Sequence, residues 1–319
     1  MRILVTGAAG FIGSHLCEHL LSRGDEVVGI DNFDDYYPPD IKHATLRELR
    51  SNAATSKFAF EELDIRDADG IGALFATHQF DAVAHLAALA GVRYSVDKAV
   101  LYNDVNVTGT LRLLDAARDH KLKGPFVFAS TSSVYGNTTR LPFIEDDPCD
   151  RPLAPYPATK RSAELMGHAY HHLHQLNFTA LRFFTVYGPR NRPDMMAHML
   201  LDNITHGRQV SLYNGGQMWR DWTYVGDTVR GMAAALERPL GYAIINMGRG
   251  TPVLLSDFVA RVELLAGKKS GLQDAPMPAA DVSRTCASID RAKALLGYHP
   301  TTTIEEGTAA LYRWYTSKT

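Results

Sequence analysis

The chain has 319 residues, 45% hydrophobic and 21% charged, with a formal net charge of −2. That is a globular composition with enough apolar material for a core of useful size, and it carries no electrostatic footprint for nucleic acid or a membrane surface. The three cysteines, Cys17, Cys149 and Cys286, have no paired spacing, which excludes a disulfide framework or a zinc site and fits a reducing cytoplasm.

The opening MRILVTGAAGFIG sets a basic residue before an apolar run, but glycines break it at once, so no targeting segment is expected. No later run reaches the ~18 apolar residues of a membrane span. Residues 3–6 read as a short strand, followed by glycines and an amphipathic helix over 12–22. Residues 26–31 form a second apolar run after a Gly24-Asp25 turn, and 58–64, 82–86 and 125–130 read as further strands. Helical patterns lie between them at 71–77, 105–120 and 160–176, and 179–187 is strand-like again. Strands alternating with helices predict βαβ units and a parallel sheet covered on both faces. The second half is less regular: loop, helix and short strand over 191–213, a helix over 222–236, a strand over 243–247, then helices among Pro and Gly turns.

Three stretches carry chemistry. TGAAGFIG, residues 6–13, spaces Gly7, Gly10 and Gly13 between a strand and a helix. Glycine there permits a tight turn and lets backbone approach a pyrophosphate at the helix N-terminus. Asp31, ending the second strand, is placed to bond the adenosine ribose hydroxyls and to repel a 2′-phosphate, which favours NAD over NADP. YPATK puts Tyr156 and Lys160 on one helical face, where an ammonium beside a phenol favours the phenolate needed of a base. FASTSSVYG, residues 128–136, ends a strand, so Thr131, Ser132 and Ser133 offer hydroxyls at the edge where open α/β sheets bind ligands. A fourth stretch, YGPRNRPDMM, is a proline-stiffened loop presenting Arg190 and Arg192, as if for an anion. The competing fate for Arg192 is an ion pair with Asp194. His168, His171, His172 and His174 cluster on one helix, but no carboxylate or cysteine completes a metal site, so they read as a helix surface or a subunit interface. Met195, Met196 and Met199 read as core or pocket lining.

TGAAGFIG, Asp31, HLAA at 85–88, TSSVYG and YPATK, in that order, resemble the extended short-chain dehydrogenase/reductases, and the resemblance covers essentially the whole chain. LRFFTVYGPRNRPDM, RDWTYVGD at 220–227 and DNFDDYYPPDIKHATLREL at 31–49 look most like the UDP-glucuronate 4-epimerases. The fold so implied is a Rossmann-type doubly wound parallel sheet with a smaller C-terminal α/β substrate-binding domain. The NAD-binding part spans 1–186 plus about 221–248. The UDP-sugar part spans about 187–220 plus 249–319.

The resemblance implies NAD bound by Gly7, Gly10, Phe11, Ile12, Gly13, Asp31, Asn32, Asp64, Ile65, Leu86, Ala87 and Ala88, with Tyr156 and Lys160. It implies a catalytic set of Thr131, Tyr156 and Lys160. Ser132, Ser133, Thr185, Arg192, Arg220 and Asp281 would line the UDP-sugar, with Tyr213 and Gln217 near the nucleoside. Two departures stand out. Many relatives have Ser where this chain has Thr131, whose hydroxyl makes the same hydrogen bonds. Ala279-Ala280 precede Asp281 where Pro-Gly or Gly is expected.

The implied activity interconverts UDP-glucuronate and UDP-galacturonate by transient oxidation at sugar C4, in a cytoplasmic homodimer. The related alternatives are a UDP-glucose/UDP-galactose 4-epimerase, a dehydratase or a decarboxylase. In the last two, position 133 is usually Glu, and dehydratases add an Asp before it. Ser132 and Ser133 supply no carboxylate. A dinucleotide sensor without chemistry would not need the complete Thr131, Tyr156 and Lys160 set.

Overall fold

The structure is a computed structural model that describes residues 1–52, 57–277 and 281–318. Its first half alternates strand and helix: β1 (Arg2–Thr6), α1 (Phe11–Ser22), β2 (Glu26–Asp31), α2 (Pro39–Asn52), β3 (Phe58–Glu62), α3 (Ala68–Thr77) and β4 (Ala82–His85). Two short helices follow, α4 (Val92–Val96) and α5 (Ala99–Asn103). A π-helical turn, Asp104–Thr108, then leads into α6 (Gly109–Asp119). Next come β5 (Phe126–Thr131), α7 (Pro155–His174) and β6 (Phe178–Phe183).

The second half holds β7 (Thr185–Tyr187), α8 (Met196–Thr205), β8 (Val210–Tyr213), β9 (Trp219–Arg220), β10 (Trp222–Tyr224), α9 (Val225–Leu236), β11 (Tyr242–Met247) and β12 (Val253–Leu254). It closes with α10 (Leu255–Ala266), β13 (Leu272–Ala275), α11 (Asp290–Leu296) and α12 (Ile304–Thr316).

Seven strands form one all-parallel sheet in the order β11-β6-β5-β4-β1-β2-β3. Alternation along each strand divides its side chains between two cores. Ile3 and Val5 of β1, and Val127 and Ala129 of β5, join the layer of α1, α9 and α11. Leu4, Phe126 and Phe128 face the layer of α3, α6 and α7. This is the doubly wound sheet expected from the sequence. Strand order reverses between β1 and β4, and the crevice beyond their carboxyl ends is where such sheets take ligands.

A third core gathers Leu200, Leu201, Val210, Leu212, Trp222, Phe258, Val259 and Leu311 from the second half. Ile289, Ala292, Leu296 and Tyr298 pack instead against the first core.

The remaining differences from the sequence reading have local causes. The apolar run 179–187 is two strands: β6 ends at Phe183, and β7 leaves the sheet to pair in parallel with β10. Trp222–Tyr224 is therefore strand, and helix begins only at Val225. Helix α7 starts at Pro155 rather than at Lys160, because proline suits a first helical position. Among the described residues no helix is long and apolar enough to cross a membrane.

Candidate active site

One cavity of about 930 Å³ opens over the switch point. The loop after β1 forms its floor. Gly7 has φ +68, and a Cβ there would lie 3.0 Å from the Ala87 nitrogen; a Cβ at Gly13 would lie 2.1 Å from the Gly7 oxygen. Two loops and the start of α1 are thus as close as backbone allows, which is why glycine is required. No side chain caps α1 at Gly10. Its first N–H groups and the positive end of the helix dipole face the cavity, where a pyrophosphate fits. Phe11 and Ile12 line the same wall.

The other end of the cavity fits a nucleoside. Asp31 is buried, accepts from the Phe33 N–H at 3.0 Å and faces Lys42 Nζ at 3.4 Å. Asn32 donates to Asp64 at 2.9 Å, and hydrogen bonds from Arg66 hold the Asp64 carboxyl down to about 2 against its burial. Ile65, Leu86, Ala87 and Ala88 complete this wall. Thr6 accepts from the Leu86 and Ala87 N–H groups at 3.1 and 3.0 Å, and its hydroxyl meets buried His85 at 2.8 Å. Every residue the sequence assigned to the dinucleotide therefore lines one cavity, and the donor set fits NAD.

Thr131 ends β5, and its hydroxyl accepts from the Ser133 N–H at 3.1 Å, capping a 3-10 turn over Ser132–Tyr135. Tyr156 and Lys160 stand one turn apart on α7. Lys160 donates to the Ala129 carbonyl at 2.9 Å, and its charge lies 4.6 Å from the Phe128 ring centre. Burial lowers its pKa to about 7. Burial raises the Tyr156 pKa, while the Thr131 hydroxyl and the Arg192 charge pull it down. Burial prevails, so the phenol stays above its ordinary range with Thr131 and Arg192 opposing the rise, while Lys160 is turned to the Ala129 carbonyl.

The proline loop divides its two arginines. Arg190, at φ +61, turns away from the cavity and pairs with Glu18 of α1 at 2.6 Å and Glu48 of α2 at 3.5 Å. Its partners tie the loop to the helix that begins at the glycine cradle. Arg192 lines the cavity with Thr131, Ser132, Ser133, Tyr156 and Thr185. Its guanidinium donates through Nε and Nη2 to the two oxygens of Asp194, both at 2.9 Å. The ion pair with Asp194 is therefore present, but it is part of the cavity wall, with side chains only 21% and 33% exposed.

Of the residues expected along the nucleotide, Asp281 lines the cavity, whereas Tyr213, Gln217 and Arg220 lie outside its wall. Gln217 is exposed. Arg220 approaches Asp281 at 3.6 Å, and Arg93 bonds the same carboxylate at 3.0 Å while its guanidinium lies 4.6 Å from the Tyr213 ring centre. Ala279 and Ala280 lie outside the described residues.

Sequence reasoning missed Arg93, Lys42, Tyr36 and Asn106. Arg93 follows HLAA by only five residues, a signal that was available. Asn106 is buried and exchanges hydrogen bonds with the Leu89 backbone and Thr159, a contact that only the fold brings together. Among the described residues no three His, Cys, Asp or Glu side chains converge as a metal site. His168 instead packs edge-on against Tyr242.

Comparison with known proteins fixes the family. The profile of the NAD dependent epimerase/dehydratase family matches residues 3–248. The chain belongs to that family. A UDP-glucuronate 4-epimerase of Thermodesulfobacterium geofontis is 42% identical over 312 residues, covering 98% of this chain and 95% of that one. The crystal structure of the Bacillus cereus UDP-glucuronic acid 4-epimerase, in complex with UDP-glucuronic acid and NAD, superposes with a TM-score of 0.93 at 37% identity over the whole of both chains. A UDP-glucose 4-epimerase of Thermotoga maritima, solved with UDP-glucose, gives a TM-score of 0.90 at 28% identity, covering 100% and 99%.

Proposed function

We propose that this protein is an NAD-dependent UDP-glucuronate 4-epimerase that interconverts UDP-glucuronate and UDP-galacturonate. The observation that carries the reading is Arg192, a guanidinium in the wall of the same cavity as Thr131, Tyr156 and Lys160. A neutral hexose has no use for a fixed cation at that place, whereas the C6 carboxylate of a uronic acid does. The relatives named above, solved or curated as UDP-glucuronate 4-epimerases, support it.

In this reading Gly7, Gly10, Phe11, Ile12 and Gly13 hold the pyrophosphate of NAD, Asp31 and Asn32 the ribose, and Asp64 and Ile65 the adenine edge. When bound, NAD accepts the hydrogen and its electron pair from sugar C4 and returns them, so the cycle is redox-neutral. The chain supplies everything else. Tyr156 takes the proton of the 4-hydroxyl and gives it back. Thr131 orients the 4-oxygen, and Lys160 adds positive charge beneath it. Arg192, with Ser132, Ser133 and Thr185, holds C6 while the 4-keto ring turns over. Arg93, Arg220 and Asp281 hold the diphosphate end, with Tyr213 and Gln217 at the nucleoside.

The NAD part comprises 1–186 with about 221–248, supported by α9 and β11 belonging to the large sheet and its first core. The UDP-sugar part comprises about 187–220 with 249–319. A homodimer is supported by apolar side chains left exposed on adjoining helices: Val100 and Leu101 of α5, and Leu165 and Leu173 of α7. A cytoplasmic location is supported by three free cysteines, two of them buried.

The reading is tested by incubating purified protein with UDP-glucuronate without added NAD and separating the products. UDP-galacturonate is the expected product. Its absence, with UDP-glucose turned over instead, would replace this reading by the neutral-sugar one.

A further inference from the structure

Arg192 does not stand free in its cavity. Two of its five N–H donors are spent on Asp194, in a planar fork from Nε and Nη2 at 2.9 Å each. Pro193 lies between the two residues and stiffens the link. The outer oxygen of Asp194 also accepts from the hydroxyl of Tyr36 at 3.1 Å. Tyr36 comes from the loop after β2, more than 150 positions earlier in the chain, and the Arg192 guanidinium lies 5.5 Å from its ring centre. The Tyr36 hydroxyl fits against Gly91, where a Cβ would come within 2.4 Å of it and where φ is +100. Tyr94 packs edge-on against the Tyr36 ring at 4.9 Å. Arg192 is therefore held in its plane by a carboxylate and over an aromatic face, and both supports are themselves held.

A carboxylate beside the cation is unexpected in a pocket meant to attract a carboxylate. Burial of Asp194 opposes its charge, yet the Arg192 contacts keep its carboxyl below the ordinary range, so it is ionised at neutral pH. Asp194 weakens the field of Arg192 toward an anionic ligand. What it supplies is orientation. With the Nε/Nη2 edge occupied, only the edge bearing Nη1 is open, and a ligand carboxylate must lie in the plane that this edge sets.

We propose that Asp194, braced by Tyr36, is a positioning residue that fixes which edge of Arg192 meets the substrate carboxylate and so keeps the oxidised sugar from losing carbon dioxide. The proposal rests on the uronate reading of the site. Oxidation at C4 makes a β-keto acid. If the C5–C6 bond stands perpendicular to the new carbonyl, it breaks: its electron pair moves into the C4 carbonyl as an enolate, carbon dioxide leaves, and C5 takes up a proton. The two electrons removed from C4 remain on the nicotinamide if the resulting 4-keto pentose escapes. A guanidinium free to swing would still bind the carboxylate, but would no longer hold C6 out of that alignment.

The test compares wild type, Asp194→Asn and Tyr36→Phe with UDP-glucuronate. It measures kcat and KM, the UDP-4-keto-pentose fraction by mass spectrometry, and the reduced nicotinamide left on the enzyme by fluorescence. Asp194→Asn is expected to leave KM unchanged or lower, because a like charge has gone. It should cut kcat by about 10- to 100-fold, the scale of a small misplacement of a reacting group. Decarboxylated product and reduced nicotinamide should rise together. Tyr36→Phe, which removes one hydroxyl and keeps the ring, should move all three readouts the same way by less. Either variant with wild-type kcat and clean epimer would overturn the proposal. So would a raised KM with no decarboxylated product, since a merely structural Asp194 would give that. Failure of the wild type to turn over UDP-glucuronate at all would overturn the uronate reading and this inference with it, before any variant is made.

Discussion

Arg182 donates from Nε and Nη2 to the two oxygens of Glu164, at 3.0 and 2.8 Å, and neither side chain is exposed to solvent. Ser130 and Arg161 complete the carboxylate's partners at 2.6 and 2.9 Å. Glu164 lies one helical turn beyond Lys160, and its charge is what raises the lysine pKa against burial. Glu164→Gln should cost about 3–5 kcal/mol of stability, because it leaves a buried guanidinium without its counter-charge. Urea unfolding measures this. The same variant should move the Lys160 step in the pH–rate profile to lower pH. An unchanged unfolding midpoint would deny the cluster its structural role.

Tyr156→Phe removes the proposed base and almost no volume. Folding and NAD binding should survive, with turnover down by about 10²–10⁴ or more. Steady-state kinetics on protein with its nicotinamide content verified decides this. Near-normal turnover would remove Tyr156 from the mechanism.

Lys160 is expected to separate activity from stability. Its folded-state pKa is depressed from the usual 10.5 to about 7. Between those values the unfolded chain binds more protons than the folded one, so the wild type gains stability as pH rises through that window. Lys160→Met should lose this slope along with most activity. On protein stripped of NAD, wild type should gain on Lys160→Met between pH 7 and pH 9 in thermal unfolding. Parallel curves would show that Lys160 is not the titrating group.

The alternatives to epimerisation differ by one chemical group. Eliminating water across C5 and C6 needs an acid–base residue near C5, and Ser132 and Ser133 provide no carboxylate. Neither a 4-keto-6-deoxy sugar from UDP-glucose nor UDP-xylose from UDP-glucuronate should therefore be the main species. Substantial loss of water or carbon dioxide by mass spectrometry would contradict this.

Much of the fold was legible because its signals are local and repeat. Val5 and Ile3 against Leu4, or Val127 against Phe126 and Phe128, show the period-2 division between two cores that a parallel sheet imposes on its sequence. The dinucleotide wall was legible for a related reason: Gly7 and Gly13 are needed by backbone contact itself. What could not be read was direction. Arg190 and Arg192 are two residues apart with prolines around both, yet one turns to Glu18 and the other to the cavity. That choice is made by helices α1 and α2, far away in the chain. The strand break after Phe183 was equally hidden, since β7 pairs with β10 almost forty residues on. The Tyr36–Asp194 contact joins two loops that the sequence reading treated separately.

Under the proposed function, Arg192 is what makes this a uronate enzyme. The direct measurement is the ratio of kcat/KM for UDP-glucuronate to that for UDP-glucose, in wild type and in Arg192→Ala. A charged hydrogen bond to the C6 carboxylate, at ~1.5–3 kcal/mol, predicts a wild-type ratio of at least about 10–150 in favour of the uronate. In Arg192→Ala that ratio should collapse toward one, with residual turnover leaking to a decarboxylated 4-keto pentose. A wild type that prefers UDP-glucose, or an Arg192→Ala variant that keeps the wild-type ratio, would contradict the account.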